Sequence, residues 1–166
     1  PQREFLYDLL DQVCEKTFVS LRADQTSDLP QRMETIVDLN EFKGPYNGLL
    51  SAHKKHPEAA WLVLACDLPL MNLQALNKLI ATRDITQKAT AFALKENALP
   101  EPLCAIWESS ALQDSVRYLE AGNGTCPRKY LINHDTKLVF PQDESVLLNA
   151  NSEEEYKTAL QQLSIN

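Results

Sequence analysis

The fold that this sequence predicts is decided by the stretch Trp61-Leu62-Val63-Leu64-Ala65-Cys66-Asp67-Leu68-Pro69-Leu70-Met71. Its first six residues are apolar and fit a short strand buried on both faces, as in the centre of a parallel sheet. The run stops at Asp67, and Pro69 prevents it from continuing as a hydrogen-bonded central strand. Because open α/β sheets bind ligands at the carboxyl ends of their strands, Asp67 lies where a ligand is expected.

Asp67 has two interpretations at this stage. A single carboxylate at a strand end suits Mg2+, which proteins hold with one or two carboxylates together with substrate phosphates. Asp is also a common capping residue, and a helix is expected to follow this strand. The residues alone leave both interpretations open.

Composition excludes several classes of partner. The chain of 166 residues suits one domain, and its net charge of −7 comes without a basic stripe that could bind nucleic acid. No apolar run approaches the roughly 20 residues that span a bilayer, and no leader pattern is visible. We therefore expect a soluble, cytoplasmic protein with neither a nucleic-acid nor a membrane partner.

The residues before the central stretch predict one helix and two short strands. Apolar residues at three- and four-residue steps indicate a helix over residues 4–13, and strands are expected at 17–21 and 35–39. Asp38 therefore lies near the end of a second strand. From its local pattern alone, we interpret it as a solvated turn residue.

A second helix is expected from Pro45 to about residue 56. Gly44 allows a tight turn before it, and Pro45 fits the first helical position, where its missing N–H costs nothing. Gly48 lies inside this helix, where glycine is destabilising by roughly 1 kcal/mol relative to alanine. Some group must therefore approach the backbone closely, either a nucleotide base or ribose, or a neighbouring strand.

After the central stretch, helices and strands continue to alternate. Asn72 is expected to cap a helix, strands are expected at 89–94 and 103–107, and two capping boxes begin at Ser110 and Ser152. This alternation predicts a three-layer α/β/α fold with a mostly parallel, Rossmann-like sheet and a hairpin-like excursion near residues 94–103.

Five blocks of sequence follow one another in the order Gly44–Ala52, Leu64–Pro69, Glu101–Trp107, Leu119–Gly122 and Leu148–Glu154. In this order and spacing they resemble the MobA family of molybdenum cofactor guanylyltransferases. The resemblance covers nearly the whole chain and is far more specific than any single block. It implies one nucleotidyltransferase domain over residues 1–166, of the nucleotide-diphospho-sugar transferase fold.

The resemblance also implies a reaction. In this family molybdopterin phosphate attacks the α-phosphate of GTP, which gives the guanine dinucleotide cofactor and pyrophosphate, with Mg2+ as the metal. Such chemistry needs positioning and neutralisation of charge rather than a covalent nucleophile. GTP and molybdopterin are thus the implied substrates, and other proteins of cofactor biosynthesis or molybdoenzyme maturation are implied partners.

Particular residues match the family's functional positions. Asp67 matches the catalytic, Mg2+-binding aspartate, which is also a nucleotide-binding position. The positions that hold guanine and ribose are matched by Asp38, Gly44, Pro45 and Gly48. The acceptor and phosphate side is matched by Pro102, Leu103, Asn149 and Asn151.

The sequence departs from the family at its start. Family members open with a strand and a glycine-rich loop of the type LAGGxSxRMGxDK, whose amides and basic side chains hold the triphosphate. We expect this first strand and phosphate-binding loop to be missing from the residues at hand. Two alternative functions remain open. One is a related cytidylyl- or sugar-nucleotidyltransferase on the same fold, and the other, if the loop is truly absent, is a non-catalytic domain that binds a nucleotide or a protein.

Overall fold

The computed structural model describes residues 2–165, apart from the side chains of residues 26–28, 162 and 163. The helices are α1 Gln2–Asp11, α2 Pro45–Lys55, α3 Leu73–Ala81, α4 Ser109–Glu120, α5 Pro127–Asn133 and α6 Glu153–Ile165. The strands are β1 Phe18–Leu21, β2 Glu34–Val37, β3 Trp61–Leu64, β4 Ala89–Ala93, β5 Pro100–Trp107 and β6 Thr136–Val139. Short 3-10 helices lie at Ala23–Asp28 and Glu144–Leu147.

The strands form two pieces of sheet in the described part of the chain. One contains β1 and β2, which are parallel, and the other has the order β3-β5-β4-β6. Within the larger piece β5 is antiparallel to both of its neighbours, whereas β4 and β6 are parallel. β3, β4 and β6 therefore run the same way and β5 alone runs back, which confirms a mostly parallel sheet with one hairpin-like excursion.

Helices cover both faces, which confirms the three-layer prediction. On one face, α1 and α3 supply Leu6, Leu76 and Leu79 to a buried apolar cluster. On the other face, α2, α4 and α5 supply a second cluster that contains Tyr46, Leu112 and Tyr130. No helix in residues 2–165 is long and apolar enough to cross a membrane.

The prediction for the central stretch is wrong in one respect. β3 has four residues rather than six, is only half-buried, and lies at the edge of the larger piece of sheet with the antiparallel β5 as its neighbour. Its side chains nevertheless pack on both faces, Leu62 and Leu64 against one apolar cluster and Trp61 and Val63 against the other. The continuous apolar run therefore indicates that both faces of the strand are covered by other side chains. It does not indicate which edges of the strand are hydrogen-bonded to neighbouring strands.

Candidate active site at the carboxyl ends of the strands

Asp38 is held where β1 and β2 end. Its backbone N–H donates to the carbonyl oxygen of Leu21 at 2.8 Å, which extends the parallel pairing by one residue. Its Oδ1 accepts a hydrogen bond of 3.0 Å from the hydroxyl of Ser20 in β1. The residue is therefore held to β1 by two hydrogen bonds, one from its backbone N–H and one to its carboxylate, while it remains partly exposed.

Gly48 is required by the approach of Ser20. A Cβ at position 48 would lie 2.7 Å from Ser20 Oγ and 3.6 Å from Asp38 Oδ1, and the first distance is shorter than any relaxed contact. Of the two interpretations of this glycine, close packing against a neighbouring strand is the one that the structure contains. Ser20 itself was missed by sequence reasoning, although it is a polar residue within the otherwise apolar strand Phe18–Leu21.

Gly44 and Pro45 form the start of α2 as the sequence predicts. Gly44 is the N-cap with φ of +62°, a conformation that favours glycine, and Pro45 is the first helical residue. A cavity of about 440 Å³ opens beside this turn. The predicted nucleotide positions in its lining are Asp38, Gly44, Pro45 and Gly48, and the lining also contains Cys66 and Leu103.

Asp67 does not cap the following helix. That role belongs to Asn72, whose side chain accepts a hydrogen bond of 2.9 Å from the N–H of Ala75 at the start of α3. The Oδ1 atom of Asp67 is buried and has no hydrogen-bond partner among the described residues. Because leaving a buried acceptor unpaired costs about 1–3 kcal/mol, this oxygen is suited to a ligand.

The residues around Asp67 fit Mg2+ of the kind that substrate phosphates help to hold. Within residues 2–165 no group of three or more His, Cys, Asp or Glu side chains could form a closed metal cage. Mg2+ does not need such a cage, since it usually keeps several waters and is bound through one or two carboxylates plus phosphates. A single unpaired carboxylate oxygen at a strand end suits that mode of binding.

The segment that contains Asn149 and Asn151 is attached to Asp67 through its middle residue, Ala150. The N–H of Ala150 donates to the carbonyl oxygen of Asp67 at 2.8 Å, and both asparagines are exposed. The N–H of Asn151 also donates to Glu155 Oε2 at 2.7 Å, within the capping box that starts α6. The last helix therefore holds this segment against the end of β3.

Pro102 and Leu103 differ in their relation to the cavity. Both belong to β5, which begins at Pro100, three residues earlier than predicted. Leu103 lines the cavity, and its carbonyl oxygen accepts a 2.7 Å bond from the N–H of Ala65. Pro102 is absent from that lining, and its carbonyl oxygen accepts a 2.8 Å bond from Trp107 Nε1 within the same strand.

Comparison with known proteins gives a consistent result. A family profile described as the MobA-like NTP transferase domain matches residues 1–138. A molybdenum cofactor biosynthesis bifunctional protein of Synechocystis sp. is 35% identical over 157 residues, which is 94% of this chain and 45% of that protein. A molybdenum cofactor guanylyltransferase of Burkholderia orbicola is 30% identical over 119 residues, which is 69% of this chain and 58% of that protein.

Solved structures share the fold. The molybdopterin-guanine dinucleotide biosynthesis protein A of Archaeoglobus fulgidus superimposes with a TM-score of 0.61 at 20% identity, over 81% of this chain and 70% of that one. A protein of Aquifex aeolicus gives a TM-score of 0.75 at 19% identity, over 90% and 78%. The chain spans about half the length of the curated relatives it matches, with shares of 45%, 52% and 58%.

Proposed function

Because the chain belongs to the MobA-like NTP transferase family, we propose that it takes part in transferring GMP from GTP to molybdopterin, with release of pyrophosphate. The names of its relatives support this reaction. The observation that carries the proposal is the buried Oδ1 of Asp67, which has no hydrogen-bond partner in the part of the chain that the structure describes. Asp67 directly follows Cys66, which lines the cavity. Since the reaction consumes GTP, we place it in the cytoplasm.

The part of the cavity lining that contains Asp38 and the start of α2 has groups that could hold a nucleoside. Asp38 carries acceptor atoms only, which suits the N–H donors of a guanine edge or the hydroxyls of a ribose. Ser20 fixes the Asp38 carboxylate before a ligand arrives, so little freedom is lost on binding. Gly44, Pro45 and Gly48 line the cavity at the start of α2, and the space beside Gly44 is open to a ring lying against the backbone.

The groups that could meet phosphates lie beside the cavity. Asp67 directly follows Cys66 of the lining, and neither Asp67 nor the two asparagines belong to the lining itself. We propose that Asp67 holds Mg2+, which when bound would offset the charge on the phosphate oxygens. The amides of Asn149 and Asn151 can donate to phosphate oxygens from the segment that Ala150 fastens to Asp67. Leu103 of β5 lines the cavity, and we assign it to the acceptor side, where it would offer an apolar surface.

A nucleotide panel tests this proposal. GTP, CTP, ATP and UTP are each added to the protein with Mg2+, and thermal stability and, with molybdopterin present, pyrophosphate release are measured. We expect GTP to stabilise the protein, by about 2.7 kcal/mol at 100 times its dissociation constant, and to support release. Stabilisation by CTP alone would instead assign a cytidylyltransferase, and binding without release under any combination would assign a non-catalytic nucleotide-binding domain.

A further inference from the structure

Gln25 is a polar residue in the lining of the 440 Å³ cavity to which the proposed reaction assigns no role. It lies in the short 3-10 helix Ala23–Asp28, which starts two residues after the last residue of β1. Asp38 directly follows the neighbouring strand β2 and lines the same cavity. An amide and a carboxylate are thus placed at the carboxyl ends of two adjacent parallel strands, where open α/β sheets bind ligands.

A single peptide group holds both of these residues. The carbonyl oxygen of Leu21 accepts the 2.8 Å hydrogen bond from the N–H of Asp38. The N–H of the same peptide group, which belongs to Arg22, donates to Gln25 Oε1 at 3.2 Å. Because the peptide bond is trans, its carbonyl and N–H point in opposite directions. Asp38 and Gln25 therefore lie on opposite sides of the end of β1, each fixed by a hydrogen bond to it.

The bond from Arg22 determines which end of the Gln25 amide is available to a ligand. A backbone N–H needs an acceptor, so the oxygen Oε1 is used by Arg22 and the nitrogen Nε2 is turned away from it. Nε2 has no hydrogen-bond partner in the part of the chain that the structure describes. Gln25 therefore offers a molecule in the cavity two N–H donors that no other group uses.

The other strong neutral donors of this lining are engaged or distant. The hydroxyl of Tyr7 donates to a backbone carbonyl at 3.1 Å, and that of Ser20 donates to the neighbouring carboxylate at 3.0 Å. Trp61 Nε1 has no partner among the described residues. Its ring, however, packs against Phe18, the first residue of β1, whereas Gln25 follows the last. The Gln25 amide is thus the neutral donor at the strand ends.

We propose that Gln25 Nε2 donates a hydrogen bond to the O6 carbonyl of guanine and, together with Asp38, determines which base the cavity accepts. This inference rests on the proposed use of GTP. Guanine presents the acceptor O6 on the same edge as its N1–H and N2–H donors, which the Asp38 carboxylate accepts. Adenine carries an amino group in place of O6, so it would turn N–H groups towards the Gln25 donor. A site that pairs a specific acceptor rejects a base that lacks it.

Gln25→Glu isolates the Nε2 donor. Glutamate keeps the length of the side chain and an oxygen for the N–H of Arg22, and it is favoured at this position of a capping box. It replaces the two donors by an acceptor, which repels O6. Dissociation constants are measured at about pH 8, where glutamate is ionised, for three nucleotides. GTP is compared with ITP, which keeps O6 but lacks the 2-amino group, and with 2-aminopurine riboside triphosphate, which keeps that group but lacks O6.

We expect Gln25→Glu to weaken the binding of GTP and ITP at least about tenfold more than that of the 2-aminopurine nucleotide. The added negative charge acts on the triphosphate of all three, so the ratio of affinities removes its effect. Arg3→Gln is the control, because Arg3 lines the same cavity and the substitution changes the charge by the same amount. It leaves the amide and the carboxylate unchanged and should weaken all three nucleotides by a common factor.

The outcomes separate this inference from the proposed function. Equal weakening of all three nucleotides by Gln25→Glu, or weakening of GTP without ITP, would overturn the contact with O6 and leave the proposed function standing. A parent protein that binds none of the three would overturn both. Gln25→Met, which has a similar length and no donor, is the second variant should Gln25→Glu fail to fold. It should give the same order of losses, and an equal loss for all three would again overturn the contact.

Discussion

The structure predicts that substitutions at Gly48 and Ser20 have non-additive effects on stability. Gly48→Ala places a methyl group 2.7 Å from Ser20 Oγ, so the hydroxyl must turn away and lose its bond to Asp38. In a Ser20→Ala background that conflict is absent, and the same change gains the helix propensity of alanine, about 0.5–1 kcal/mol. We expect a coupling free energy of about 1 kcal/mol or more in a urea-denaturation double-mutant cycle. Additivity within about 0.3 kcal/mol would show that the two residues do not meet.

Asp67→Asn separates charge from packing. The amide keeps the size of the side chain but loses the negative charge that a divalent cation needs. We expect pyrophosphate release to fall about 10²–10³-fold, while the free energy of unfolding should not fall, because a neutral amide is less costly to bury unpaired than a carboxylate. An unchanged kcat at saturating GTP would remove Asp67 from the proposed reaction.

The reactivity of the Cys66 thiol can show whether the cavity is occupied. It is exposed and lines the cavity, whereas Cys126 is exposed elsewhere and Cys104 is 2% exposed. Burial raises the pKa of the Cys104 thiol, which keeps it unreactive. We expect saturating GTP with Mg2+ to slow maleimide labelling of Cys66 several-fold, measured by peptide mass mapping.

Cys126 is the matched control for that experiment, since its labelling rate should not respond to the nucleotide. Equal slowing at both cysteines would indicate a global tightening of the fold, and no slowing at Cys66 would place the nucleotide outside this cavity.

At the scale of elements, Asn72 is predicted to matter for α3 and not for chemistry. Asn72→Ala removes the bond to the N–H of Ala75 and should lower the free energy of unfolding by about 1 kcal/mol. Pyrophosphate release by the folded variant should stay near that of the parent, in contrast to Asp67→Asn. If Asn72→Ala instead abolished release without loss of stability, the assignment of cap and ligand at this strand end would be reversed.

Local patterns predicted most elements well because their causes are local. The Ser152 capping box forms as expected, with Glu155 N–H donating to the Ser152 hydroxyl at 3.1 Å. The similar pattern at Ser110 does not, because α4 starts two residues earlier than that pattern requires, with Glu108 rather than Ser110 as its N-cap. Glu108 is engaged instead by Arg83, at 2.7 and 2.8 Å, a contact between residues distant in the sequence that no local pattern encodes.

The candidate site was predictable residue by residue but not as an assembly. Strand ends and a glycine within a helix drew attention to Asp38, Asp67 and Gly48 separately, and only the family resemblance assigned them a role. The edge position of β3 and the bond from Ala150 to Asp67 depend on which distant segments pair. Sequence reasoning missed Ser20 for the same reason, since its role depends on its close approach to Gly48 on another element.

For the whole molecule, buried tyrosines predict loss of stability in alkali. Burial, with a smaller contribution from Asp114, raises the pKa of Tyr130 to about 12, and burial also raises that of Tyr46. Above about pH 10 the unfolded chain ionises its tyrosines while the folded protein keeps Tyr130 protonated, so rising pH favours unfolding up to about pH 12. Urea midpoints should therefore fall between about pH 9 and about pH 11.

Tyr130→Phe gives the control for this pH dependence. The variant has no proton to lose at that position, so its midpoint should fall less steeply over the same interval. An identical slope in both proteins would assign the alkaline loss to other groups.

The hydrogen bond from Ala150 to Asp67 also sets an order of events during biosynthesis. A ribosome makes the chain from its amino terminus, so Asp38 and Asp67 emerge long before Ala150. Asn149 and Asn151 can therefore take their places beside Asp67 only after most of the chain has been made. A chain released early by a stalled ribosome would lack the segment that we propose to face the phosphates.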